Sequence, residues 1–314
     1  MKRFFAVLTA AFALCALLSL STFAADRVLN VYNWGEYISD GSEGSLDVNA
    51  EFEKWYAETY GETVKVVYTT YASNEDLYAK LKSGAAGYDV ILPSDYMIAR
   101  MIDEGMLEKL NFDNIPNIEN IDLSAVFKGS APYYDPESAY SVPYTYGTVG
   151  IIYNTTMVDE ADIGSWDLMW NPKYKGNILQ FNNSRDAFGS AQYLLGLDVN
   201  SDSEADWRQA LEKLKEQKRV VQGYVMDEIY NMMESGEAAV AAYYAGDYFT
   251  MCDAQADSVD LQFYYPENTN YFIDAMCIPK GCQNKEGAEA FINYLCRPDI
   301  SAANLDYIGY STPE

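Results

Sequence analysis

From Arg27 onward the chain switches repeatedly between two hydrophobic periods. Residues 27–32 form a short apolar run and predict a strand. Residues 46–60 carry Val48, Phe52 and Trp55 at helical spacing and predict a helix. Residues 63–68 are β-branched and predict a second strand. Asn74–Lys82 predicts a helix, opened by the capping-box-like Ser73-Asn74-Glu75-Asp76. Residues 88–92 predict a buried strand and 97–104 the helix after it. Strand–helix alternation of this kind predicts an α/β fold with a doubly wound, mostly parallel sheet.

The same pattern continues after a loop-rich stretch, 111–137, marked by Pro116, Pro132 and Pro136. Strands are predicted at 149–153, 177–180, 240–243, Leu261–Tyr264 and 272–279. A highly charged helix is predicted at 207–217. A last helix is predicted at 284–296, with Ala288, Phe291, Ile292 and Leu295 on one face.

In open α/β sheets ligands bind beyond the carboxyl ends of the strands. Three unusual loops are predicted at such ends: Trp34-Gly35-Glu36-Tyr37, Tyr71-Ala72-Ser73-Asn74 and Pro93-Ser94-Asp95-Tyr96. Two aromatic faces and a carboxylate on the first loop suit an organic cation, through cation–π attraction and charge pairing. Trp34 and Tyr37 would equally well cap a core. Glu36 and Asp247 would equally well be solvated loop acids. Asp274 stands apart, because it interrupts the apolar run Phe272-Ile273-Asp274-Ala275-Met276 and so needs a partner, from a ligand or from the protein.

Composition narrows the choice of partner. Residues 1–25 have the layout of a secretory signal peptide: Lys2 and Arg3, an apolar run from Phe4 to Leu20, then small residues, with cleavage after Ala24 or Ala25. Cys15 lies inside that run, but Leu14 precedes it where lipoprotein processing prefers a small residue. The chain is therefore expected to be exported, to the periplasm or cell envelope. The whole sequence carries 21 Lys and Arg against 47 Asp and Glu, which disfavours nucleic acid and anionic membrane as partners. There is no histidine, which argues against imidazole base catalysis and the commonest zinc sites. Beyond the leader there are four cysteines, Cys252, Cys277, Cys282 and Cys296. Export permits them to pair, but their spacing matches no metal motif.

Several motifs together resemble one family. They are Asn33-Trp34-Gly35-Glu36-Tyr37, Thr70-Tyr71-Ala72-Ser73-Asn74-Glu75, Tyr88-Asp89-Val90-Ile91-Leu92-Pro93-Ser94, Ser141-Val142-Pro143-Tyr144, Asn293-Tyr294-Leu295-Cys296-Arg297-Pro298-Asp299 and Ile308-Gly309-Tyr310-Ser311-Thr312-Pro313. The sequence resembles the bacterial spermidine/putrescine-binding proteins, the extracytoplasmic receptors of polyamine ABC importers. The resemblance implies a two-lobed, type II periplasmic-binding-protein fold with the ligand cleft between the lobes. Residues 26–139 and 266–314 would form one lobe and 140–265 the other. It also implies a monomer without cofactor, metal or catalytic activity, which hands its ligand to the permease subunits. The family chain continues past the position of Glu314, so the C-terminal part is expected to be missing here.

Carried over position by position, the resemblance assigns ligand-binding roles to Trp34, Tyr37, Ser94, Tyr96, Asp274 and Tyr310. At other positions it implies a hybrid slot. The spermidine-preferring members have Asp and Glu where this chain has Asn183 and Asp186. Tyr244 stands for a family tryptophan, while Asp247 and Phe272 are similar to the putrescine-preferring members. Glu36 would supply a further acid at one end. Polyamine is thus implied as the class, with putrescine and spermidine both open.

Two rivals remain at this stage. A ferric-ion receptor would use tyrosine ligands, for which Tyr133-Tyr134, Tyr243-Tyr244 and Tyr264-Tyr265 are candidates. Adjacent tyrosines on a strand point to opposite faces, however, and the Trp34–Tyr37 loop would then have no role. A glycosidase would use a carboxylate pair such as Asp186 and Asp274 with aromatic platforms, and no motif specifies one.

Overall fold

The computed structural model describes residues 27–84, 87–122 and 132–311. The expected signal peptide at 1–25, with Cys15, and the Thr312-Pro313 end of the last motif lie outside the described residues.

The first three strands are β1 (Arg27–Trp34), β2 (Val64–Tyr71) and β3 (Val90–Ile91), with β1 pairing in parallel with both β2 and β3. The helices between them are α1 (Val48–Tyr60), α2 (Asn74–Lys82) and α3 (Asp95–Asp103). In α1, Val48, Phe52 and Tyr56 are buried at 3.6-residue spacing. Asp47 caps that helix by accepting from the Ala50 amide, and Ser73 caps α2 through the Asp76 amide.

The chain then enters β4 (Ser141–Asn154), whose 14 residues exceed the predicted strand 149–153. The extra length has a clear cause, since β4 serves two groups of strands. Ser141 to Thr148 pairs antiparallel with β9 (Tyr271–Cys277), which in turn lies antiparallel to β3. From Val149 onward β4 pairs instead with β7 (Val240–Tyr244) and β8 (Leu261–Tyr264). Parallel to β7 runs β5 (Ile178–Phe181), and parallel to β5 runs β6 (Val221–Val225). The order across the sheet is β2-β1-β3-β9-β4-β7-β5-β6, with β8 attached to β4. The expected parallel pairing therefore holds among β1, β2 and β3 and among β5, β6 and β7. It gives way to antiparallel pairing at β4, β8 and β9, the strands that link the two groups.

Helices α4 (Ser184–Leu194), α5 (Glu204–Gln217), α6 (Glu228–Glu234) and α7 (Ala245–Ala254) surround the second group, and α8 (Lys285–Leu295) and α9 (Pro298–Ile308) return to the first. Each group has its own apolar core. Leu29, Val31, Phe52, Val90, Phe291 and Ile292 belong to one, and Ile151, Ile152, Leu179, Val240 and Met251 to the other. Trp34 and Tyr310 pack against both. Among the described residues no helix is long and apolar enough to cross a membrane. Cys252, Cys277 and Cys282 are free thiols.

One buried acid locks the first group together. Asp89 accepts from the amides of Asn30, Gln283 and Asn284 at 2.8, 2.8 and 2.9 Å. It thereby ties β1 to the start of α8, and its charge is met by four N–H donors once the Asn30 side chain is included.

Candidate functional site

The carboxyl ends of the parallel strands converge as the strand-end rule requires. In the first group, the Trp34 indole donates to the Leu92 carbonyl at 3.0 Å and the Tyr71 hydroxyl donates to the same oxygen at 2.7 Å. Asn74 and Ser94 exchange hydrogen bonds at 2.9 and 3.1 Å. The three loops predicted at strand ends are thus one surface. In the second group β5 runs into Asn183 and Asp186, β6 into Met226 and Asp227, and β7 into Tyr244 and Asp247.

Between the two sets of loops lies a cavity of about 110 Å³, enough for a slim ligand or a few waters. Trp34, Tyr37, Ser94, Tyr96, Asp186, Tyr244, Asp247, Phe272, Asp274 and Tyr310 all line it. Two of the sequence candidates do not. Glu36 has a left-handed backbone, φ 48°, and is exposed, though its charge still raises Asp227 and Asp247. Asn183 stands behind the wall: its side chain accepts from the Asp186 amide at 3.2 Å, capping α4, and donates to the Asp186 carboxylate at 2.8 Å and to the Tyr244 hydroxyl at 3.2 Å. It orients a wall residue rather than forming the wall.

The walls are aromatic. The Tyr244 and Phe272 rings lie 5.3 Å apart, edge to face, and the Tyr37 and Tyr310 rings 4.9 Å apart in the same manner. Two glycines make this packing feasible. A Cβ at Gly246 would lie 2.4 Å from the Tyr310 ring, and one at Gly35 would lie 2.8 Å from an oxygen of Asp227 across the cavity.

Set into these walls are buried carboxylates, each held by a tyrosine hydroxyl. Tyr37 donates to Asp274 Oδ2 at 2.8 Å, Tyr244 to Asp186 at 2.7 Å, Tyr310 to Asp247 at 2.9 Å, and Tyr133 to Asp95. Asp274 Oδ1 is buried and lacks a hydrogen bond of good geometry. Burial pushes Asp274 up to about 7 against the Ser94 and Tyr37 hydroxyls, which favour the anion, and the charges of Asp95 and Asp186 add to the rise. Asp247 is pushed up to about 7 by burial, opposed by Tyr310 and Tyr230 and reinforced by Asp227 and Glu36. Burial likewise raises Asp186 to about 6.

The cavity wall holds one cation among its described residues, Arg185. Its guanidinium is bonded to the Val199 carbonyl and the Asn200 side chain, at 2.7 and 2.8 Å, and it lies 5.6 Å from the Tyr96 ring centre. The acids of the wall, Asp95, Asp186, Asp227, Asp247 and Asp274, thus outnumber its one described cation. Such an enclosure is suited to a small, multiply charged organic cation with an apolar middle.

The structure adds wall residues that sequence reasoning missed, Asp95, Arg185, Asp227 and Tyr230, and places in the wall Tyr133 and Tyr243, which the sequence offered only as iron ligands. Asp95 was visible within a quoted loop, and its place at the start of a helix was the available signal. Asp227 and Tyr230 follow a strand that the hydrophobic pattern does not reveal.

Comparison with known proteins gives a consistent result. Residues 49–314 match the family described as bacterial extracellular solute-binding protein. The chain is 33% identical over 315 residues to the spermidine/putrescine-binding periplasmic protein of Escherichia coli strain K12, covering all of this chain and 85% of that one. It is 31% identical to the putrescine-binding periplasmic protein SpuD of Pseudomonas aeruginosa, covering 99% and 84%. Among solved structures it is similar to the spermidine/putrescine ABC transporter substrate-binding protein PotD of Streptococcus pneumoniae. That match has a TM-score of 0.69 at 35% identity and covers 92% of this chain and 83% of that one.

Proposed function

Because this chain belongs to the bacterial extracellular solute-binding proteins, which have a two-lobed periplasmic-binding-protein fold, we propose that it is an exported receptor that captures a polyamine, putrescine or spermidine, and delivers it to the permease of an ABC importer. The observation that carries this reading is Asp274: a buried carboxylate with one oxygen unfilled, between aromatic rings and beside other buried acids. An ammonium supplies the missing donor and charge, and the methylene chain covers the ring faces. Asp186 and Asp247 are the further acids for a second or third amine. Ser94 and Tyr96 complete the wall near Asp274.

We take residues 26–139 with 266–314 as one lobe and 140–265 as the other. The separate apolar cores, and the change of partner along β4 from β9 to β7 and β8, support a division into two lobes. The receptor acts as a monomer, and capture is closure of the lobes over the amine. An empty closed site buries unpaired carboxylates, so the ligand makes closure favourable.

The tyrosine chemistry disfavours ferric iron. Tyr37, Tyr244 and Tyr310 all donate to aspartates, which commits their hydroxyls, and burial with those charges raises them well above the usual phenol range. The carboxylate pair Asp186 and Asp274 does not separate into an acid and a base either, since burial raises both.

Calorimetry with putrescine, cadaverine, spermidine and spermine at pH 8 tests the reading. At least one amine is expected to bind with a micromolar constant or tighter, about −8 kcal/mol. No heat with any of the four, or a charge-transfer colour with ferric iron in their place, would overturn it.

A further inference from the structure

Asp227 is a carboxylate that the protein itself leaves uncommitted. It directly precedes α6, where an Asp ordinarily turns back to cap the helix, yet its side chain makes no capping bond there. The neighbouring Glu228 instead folds over the Met226 amide, at 3.1 Å. The Asp227 carboxylate points the other way, into the cavity, where it meets the backbone of Gly35 from the opposite loop. Only a residue without a side chain at 35 leaves it that space. Among the described residues it forms no ion pair, and Arg185 stands with the Asp186 group instead. Its neighbours along the wall are Met226, Tyr230 and Asp247, the last already bonded to Tyr310.

The cavity acids therefore fall into two groups. Asp95 and Asp186 both raise Asp274, and Arg185 lowers Asp186 and Asp95. Asp227 raises Asp247, Glu36 raises both, and among the described residues neither forms an ion pair. A primary ammonium carries three donors on one nitrogen, and a two-carboxylate group without a counter-cation is the arrangement that uses them best. Resting on the polyamine reading above, we infer that Asp227 is a ligand-contacting residue that pairs with Asp247 to hold a terminal primary ammonium of the polyamine. The amine replaces the cap and the counter-ion that Asp227 lacks.

The test is calorimetry of the parent, D227N and D227A with putrescine at pH 8, together with their melting temperatures without ligand. The expected result is a loss of affinity of tenfold or more in both variants, with melting temperatures equal to the parent's or higher, because a charge repelled by the neighbouring Glu228 and Glu36 has been removed. Putrescine binding within threefold of the parent in D227N would overturn the inference. So would a pattern in which D227N keeps affinity and stability while D227A loses both, since Asn caps a helix and Ala does not. Failure of the parent to bind any polyamine is a separate outcome that overturns the proposed function, and the inference with it.

Discussion

Replacing Asp274 with Asn is expected to weaken polyamine binding by about 2–5 kcal/mol, the usual loss when one partner of a buried charge pair is removed. That corresponds to roughly 30- to 5,000-fold in the dissociation constant. The same change is expected to leave the ligand-free protein as stable as the parent, or more so, at pH 8. The reason lies in the strand. Asp274 sits in β9 among Phe272, Ile273, Ala275 and Met276, all buried, and its Oδ1 has no partner of good geometry. An amide of the same shape keeps the Tyr37 contact and removes the uncompensated charge. A structural role would give the opposite pattern: lost stability with nearly intact binding. Affinity and melting temperature of this one variant separate the two, and binding within about threefold of the parent would remove Asp274 from the site.

Polyamine affinity is expected to fall steeply on acidification, by about 100-fold or more between pH 8 and pH 5.5. In the empty protein Asp247 and Asp274 are both raised to about 7 and Asp186 to about 6, from the ordinary aspartate value of 3.8. Below these values the carboxyls hold protons, and an ammonium must displace them to bind. Between about pH 4 and pH 7 the folded, empty protein carries more protons at these groups than the unfolded chain does. Their contribution to stability is therefore fully present below about pH 4 and is lost as pH rises through about 7. Ligand-free stability from these groups and ligand affinity thus run in opposite directions with pH. Titration at pH 6.5 in two buffers of different ionisation heat should show net proton release on binding, and titration at pH 9 should show almost none. An affinity that stays flat from pH 5.5 to pH 8 would contradict the account. The Asp274→Asn effect should shrink over the same range, because at low pH the parent is neutral at that position as well.

The first strand group was legible in the sequence because its signals agree with one another. The apolar run of β1, the β-branched run of β2, the Ser73 cap and the helical spacing of α1 all specify the same elements, and the loops at their ends then had to share a rim. The second group was less legible. β6, Val221–Val225, contains Gly223 and is only partly buried along its length, so it shows neither alternation nor a continuous apolar run. With β6 unseen, the residues at its end, Met226 and Asp227, carried no positional meaning. α7 was hidden for a related reason: Gly246 lowers helix propensity, yet the position requires it because the Tyr310 ring lies where a side chain would be.

Two candidates differed for local reasons. Glu36 follows Gly35 in a tight turn, takes a left-handed backbone and stays exposed, acting on the cavity acids through its charge rather than lining the wall. Asn183 carried a visible clue, since its position three residues before Asp186 is the spacing of a helix cap, and capping is what its side chain does. The acids Asp95, Asp186, Asp247 and Asp274 are far apart in sequence, and only the convergence of strand ends from both groups brings them to one cavity.

The most direct measurement is a crystal structure of the protein with putrescine bound. The account predicts an ammonium nitrogen about 2.7–3.0 Å from Asp274 Oδ1, the second nitrogen near Asp247, and the methylene chain against the rings of Trp34 and Phe272. A diamine bound elsewhere, or a cavity that holds only water at saturating putrescine, would contradict it.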